Sequence, residues 1–206
     1  MLTTPHAATQ SRAYLSESDP PSKRRILEVA LRLFAAKGLH AVTVRDIAGE
    51  AGYTNPALFK FFESKDALAL HLFERCYLDL HARLSQNAGS DLPFRKRMNA
   101  MVNVVAAQIE SDAAAFLFVQ DHLRVLWPRV SKTTKRHSIL GFIDSMLRQG
   151  VQEGAVSSTA NLQLLVAAIV GTCAQFARMV HFGEFKGSPR DHIRELERLF
   201  RRMTSA

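Results

Sequence analysis

The stretch that decides the fold is TVRDIAGEAGYTNPALFKFF, residues 43–62. Thr43-Val44-Arg45-Asp46 has the Ser/Thr-x-x-acid form of a capping box, so a helix starts there. Ile47, Ala48 and Ala51 give that helix an inner face, and Gly52 ends it. A few residues later a second short helix opens at Thr54 or Asn55, with Thr54 as its cap and Pro56 tolerated in its first turn. It runs through Leu58, Phe59 and Phe62. Two short helices across a tight glycine-containing turn make a helix-turn-helix unit over 43–62. The major groove of DNA admits one α-helix, so the second helix would present its N-terminal side chains to base edges. The first would aim its N-terminal amides at the phosphates.

Upstream, Ile26, Leu27, Ala30, Leu33 and Phe34 recur at three- and four-residue spacing and predict a helix over 23–37, with Ser22 as cap and Gly38 as stop. Downstream, Ser64 caps a longer helix over 65–86, whose inner stripe is Leu68, Leu72, Phe73, Cys76, Leu80 and Leu84. Residues 1–20 are polar, end in Pro20-Pro21 and read as a flexible N-terminal arm with no apolar signal segment. After a connector at 87–90, helices are expected over 93–110, 112–126, 131–152, 159–182 and 189–203, the last capped by Ser188. The fold class is therefore all-α, about nine helices in total. A three-helix helix-turn-helix domain (21–66) precedes a larger helical domain (67–206).

The net charge of +8 and isoelectric point near 9.9 favour a polyanionic partner. Distribution weakens that argument: residues 23–65 carry eight Lys/Arg against four Asp/Glu, and residues 91–206 carry sixteen against ten. The DNA reading rests on the motif. Cys76 and Cys173 lie far apart in apolar helical contexts and read as small buried hydrophobes of a reducing, cytoplasmic protein. The longest apolar stretch, Leu164 to Ala174, falls short of the roughly 20 residues a bilayer needs, so no membrane partner is expected. No Gly-x-Ser-x-Gly, dinucleotide or phosphate-binding glycine loop occurs, and no His-x-x-x-His or Glu-x-x-His pair could hold a metal. Neither an enzyme nor a cofactor is expected.

The run Ile26-Leu27, Ala30, Leu33-Phe34, Gly38, Thr43 to Ala48, Ala51-Gly52, Thr54, Leu58-Phe59, Phe62, Ser64-Lys65-Asp66 and Leu68 resembles the TetR family of regulators. The resemblance covers about 47 residues in one uninterrupted register. It implies that Thr43, Arg45, Thr54 and Lys65 contact phosphates of a double-stranded operator. Asn55, Ala57 and Lys60 would face the bases. The alternative for Arg45 and Lys65 is that they are solvated surface charges. The family's usual tyrosine and histidine positions are here Phe59 and Phe61, which have no polar atom for a phosphate, so Lys60 or Tyr53 would substitute.

The resemblance further implies that the remaining helices bind a small-molecule effector and form a homodimer. Residues 162–180 are apolar nearly all round and need cover on two sides. Ala167, Gly171 and Ala174 share a face that allows close approach. Ile193, Leu196, Leu199, Phe200 and Met203 make a second stripe, and the two helices from each subunit could form an isologous four-helix interface. Closure of the chain's own core is the alternative. For the effector, Phe116, Phe118, Leu123, Leu126, Trp127, Phe142, Met146, Phe176 and Met179 offer bulky lining for a largely apolar ligand, with His122 or Arg124 as anchor. Repression relieved by that ligand is the default sign. The rival reading is a helical small-molecule-, lipid-binding or scaffold protein whose helix-turn-helix no longer reads DNA.

Overall fold

The structure is a computed structural model and describes residues 14–205. It is all-helical. α1 (Pro21–Lys37), α2 (Val44–Ala51) and α3 (Asn55–Phe59) lead into the long α4 (Lys65–Asn87) and α5 (Phe94–Leu126). They are followed by α6 (Lys132–Arg136), α7 (Ile139–Gln152), α8 (Leu162–His181) and α9 (Ile193–Thr204). Short 3-10 turns at Trp127–Arg129 and Pro189–His192 lead into α6 and α9.

Several boundaries differ from expectation for local reasons. α1 starts at Pro21, with Pro20 in the cap position and no side-chain cap, so Ser22 is not its cap. Proline suits a first turn, where its missing N–H is not needed. The helix expected over 131–152 is two: Ser131 caps α6, and Ser138 restarts the chain by accepting the amide of Gly141. The break expected after residue 110 is a kink. Asp112 leaves helical geometry (φ −157°, ψ 75°), and its carboxylate re-caps the next turn through the Ala115 amide at 2.9 Å.

Residues 1–13 of the expected arm lie outside the described residues. Residues 14–20 are no loose arm. Tyr14 is buried in the first core, and the Asp19 carboxylate bridges Lys23 of α1 (2.8 Å) and Arg75 of α4 (2.6 Å). Desolvation pulls the Asp19 carboxyl upward, but the hydrogen bonds from Lys23 and Arg75 prevail and hold it at about 2.

Apolar side chains gather in two cores. The first joins α1, α2, α3 and residues 68–77 of α4 with the second half of α5, where Phe34 stacks on Phe118 at 5.8 Å. The second holds Leu80 and Leu84 of α4, the first half of α5 and the buried faces of α7, α8 and α9. The division expected between residues 66 and 67 is not a division between cores, because α4 is shared. Gly150 on α7 marks a close approach in the second core: a Cβ there would lie 2.5 Å from Val156 and 2.8 Å from the Phe94 ring.

One length expectation is overturned. Both the segment Phe94–Arg129 and α8 are long and apolar enough to cross a membrane. For the first, that composition is explained by burial inside the protein. α8 is different, with only 22% of its apolar window buried. Its free face demands an explanation of its own.

Candidate nucleic-acid interface

The capping box of α2 forms as its sequence dictates. The Thr43 hydroxyl accepts the Asp46 amide at 3.1 Å, and the Asp46 carboxylate accepts the Thr43 amide at 2.8 Å. These bonds hold the Asp46 carboxyl below its ordinary value. Gly52 then takes a left-handed conformation (φ 80°, ψ 24°), and the Tyr53 amide closes the turn on the Ala48 carbonyl at 2.8 Å. Glycine adopts this geometry without strain. The turn seats α3 by Leu58, which is wholly buried among α1, α2 and α4 residues.

With Leu58 pointing inward, the opposite face of α3 is outward: Asn55, Pro56, Phe59 and Lys60 are all exposed, and Ala57 is half-buried at its flank. Thr43, Arg45 and Thr54 are exposed beside it. Thr54 departs from expectation, because its side chain makes no capping bond. Its carbonyl accepts the Ala57 and Leu58 amides instead. The two helices thus offer three hydroxyl or guanidinium groups around one short polar and apolar face.

Lys65 is the clear correction. Its ammonium is turned inward and donates to the carbonyls of Leu39 and Val42, both at 2.7 Å. Those carbonyls belong to the irregular loop between α1 and α2, which has no helical partner for them. The lysine therefore fixes that loop rather than standing free for a phosphate. Lys65→Ala is expected to cost the domain about 1–3 kcal/mol, the penalty of orphaned polar groups. Amide hydrogen exchange at residues 39–43 checks this: unchanged protection would return Lys65 to the surface. Phe61 is also not a groove residue, since it packs partly buried against the first core. Sequence reasoning missed the tie of Lys65 because its acceptors lie 23 and 26 residues away.

The expected effector-site residues divide between the two cores. Leu126 is wholly buried in the first core with Leu123 and Trp127 against it, Trp127 lying 4.8 Å from Tyr77. Phe118 belongs there too. Phe116, Met146 and Phe176 are buried in the second core and Phe142 packs on it, while Met179 is half-buried on α8. Arg124 is exposed, and the His122 ring bonds the Phe118 carbonyl of its own helix. Cys76 and Cys173 are both buried, and burial pushes both thiols up, Cys173 to about 12.

The expected dimer face divides the same way. On α8, Leu164 (67%) stands exposed with Ala167 and Gly171, Ala174 is half-buried beside them, and Phe182 (70%) is exposed just past the helix end. On α9 the stripe turns inward. Phe200 is wholly buried in its own chain, which removes it from any partner contact, and Ile193, Leu196 and Met203 pack on the second core. Leu199 alone of that stripe is exposed.

The sequence profile of bacterial regulatory proteins, tetR family, matches residues 26–72. The HTH-type transcriptional repressor KstR2 of Mycobacterium tuberculosis is 32% identical over 152 residues, covering 71% of this chain and 75% of that protein. KstR2 of Rhodococcus jostii is 27% identical over 150 residues, covering 69% and 71%. The solved structure of the ketosteroid transcriptional regulator KstR2 of Mycobacterium tuberculosis shares the fold, with a TM-score of 0.76 at 23% identity, covering 94% of this chain and 98% of that one.

Proposed function

The chain belongs to the tetR family of bacterial regulatory proteins and is a DNA-binding transcriptional regulator, not an enzyme; we propose that it represses from an inverted-repeat operator, as a cytoplasmic homodimer. One observation carries this reading: the only outward face of α3 bears Asn55, Pro56, Phe59 and Lys60 on a helix already anchored by Leu58. Asn55 can pair with adenine and Lys60 with guanine across the major groove. Thr43, Arg45 and Thr54 hold register on phosphates, which carry no sequence information. Residues 21–66 supply the reading head, and 67–206 supply the effector response and dimerisation.

The dimer forms through the free face of α8, and operator binding requires its two α3 helices to stand about one helical turn of DNA apart, roughly 34 Å. The effector is a small, largely apolar molecule, in keeping with the apolar second core and with relatives that include a ketosteroid regulator. Its binding releases the operator because it fits better when the two heads are spread, a coupling typically worth about 1–3 kcal/mol.

Asn55→Ala and Lys60→Ala test the base-facing assignment. Each is expected to narrow the gap between operator and unrelated DNA by about 1–3 kcal/mol while leaving the salt slope from Asn55→Ala unchanged. Arg45→Ala instead weakens all sequences alike and lowers that slope by about 1. Fluorescence anisotropy titrations at several salt concentrations measure both. Unaltered discrimination in both α3 variants would put the groove elsewhere on the molecule.

A further inference from the structure

Between residues 14 and 124, the described large apolar side chains left exposed are Tyr53 and Phe59, at 37% and 48%. Both lie in the turn and helix that face DNA. Scattered surface hydrophobes are ordinary in proteins, but here two fall within seven residues of one functional loop. Of the other phenylalanines in this part of the chain, Phe34, Phe62, Phe73, Phe94, Phe116 and Phe118 are buried and Phe61 is partly buried. Phe59 is not needed for the anchoring of α3 either, since Leu58 fills the inward position.

Helical spacing puts Phe59 on one face with Pro56 three residues before it and Asn55 four before it, and Lys60 is four beyond Pro56. The outward face therefore has an apolar centre, Pro56 and Phe59, between two hydrogen-bonding ends, Asn55 and Lys60. Neither apolar side chain can donate to or accept from a phosphate or a base edge. On the floor of the major groove the apolar feature that tells one base pair from another is the thymine C5-methyl. From this composition we propose that Phe59, backed by Pro56, is a specificity-determining residue that reads a thymine methyl in each half-site of the operator.

The proposal rests on the operator reading above and deepens it. The thymine is flanked within the same half-site by the bases that Asn55 and Lys60 address. Removing the methyl deletes one buried carbon, an effect of about three- to fivefold in affinity. Changing the DNA rather than the protein keeps folding out of the comparison.

The experiment uses the full chain and a duplex that it selects from a randomised pool. Each thymine of the selected half-site is replaced singly by deoxyuridine, and affinities are measured for the wild type, Phe59→Ala and Phe59→Leu. At least one deoxyuridine is expected to weaken wild-type binding about three- to fivefold. That penalty vanishes in Phe59→Ala and is partly kept in Phe59→Leu. If no thymine methyl matters, or the penalty persists undiminished in Phe59→Ala, Phe59 reads no methyl and the proposal is overturned while the operator reading stands. If the pool yields no preferred sequence, the operator reading itself falls and takes this proposal with it.

Discussion

Gly171→Arg is expected to convert the protein to a monomer and to weaken operator binding about a hundredfold or more, because linked half-sites typically gain a factor of roughly 10²–10⁴. The position suits the purpose. A Cβ built on Gly171 meets nothing within 4 Å, so an arginine there disturbs no contact within its own subunit. Arginine is also a better helix former than glycine, and the α8 backbone should not suffer. The surrounding face, with Leu164 and Phe182 about two-thirds exposed, is apolar and open, and only 22% of the apolar window of α8 is buried. A charged, long side chain in the middle of a close helix–helix contact would hold two such faces apart at an unpaired-charge cost. Sedimentation equilibrium reports the mass, and anisotropy reports the affinity. A dimer that survives Gly171→Arg would move the interface away from α8.

Arg97→Ala is the substitution expected to damage the fold most selectively. Arg97 is 3% exposed, the one buried charged side chain among the described residues. Its Nε donates to the Ala88 carbonyl at 3.0 Å, an Nη donates to the Gln149 Oε1 at 2.6 Å, and the guanidinium lies 5.2 Å from the Phe142 ring centroid. Gln149 in turn donates to the Leu92 carbonyl at 2.9 Å and to the Glu153 carboxylate, whose other oxygen accepts the Phe94 amide at 2.9 Å. One side chain thereby ties the end of α4, the start of α5 and the end of α7. Burial lowers the affinity of the guanidinium for its proton, with Asp91 and Glu153 acting the other way.

Truncating Arg97 removes the donor to the buried Ala88 carbonyl and to the part-buried Gln149 amide oxygen. The expected loss is about 3 kcal/mol. For a chain of this size that is roughly 6–12 °C in Tm by thermal denaturation. Arg97→Lys is expected to recover less than half, because an ammonium cannot reproduce two divergent N–H bonds and a stacked plane. A loss under about 1 kcal/mol would mean that water replaces these bonds and that the network does not organise the second core.

Much of the reading head was legible in the sequence. The Thr43–Asp46 box, the Gly52 turn and the Ser64 cap each work within one helical turn, so residues three or four apart carry their own instruction. The shared role of α4 was not legible, because Cys76 and Leu80 occupy one apolar stripe yet fall into different cores. The stripe shows which face is buried and not what buries it.

The same limit explains the two largest corrections. Lys65 looks like a surface lysine until the loop before α2 folds back to present two carbonyls. Phe200 and Gly171 look like parts of one interface until α9 packs its stripe inward and α8 keeps a face free. What the amino-acid order determined by itself was therefore the all-helical class, the capped starts of α2 and α4, the Gly52 turn and the outward placing of Asn55 and Lys60, since helical period and capping are local. What only tertiary packing decided was which apolar face closes the chain's own cores and which stays exposed, together with the outward turn of Pro56 and Phe59, since that depends on neighbours scores of residues away.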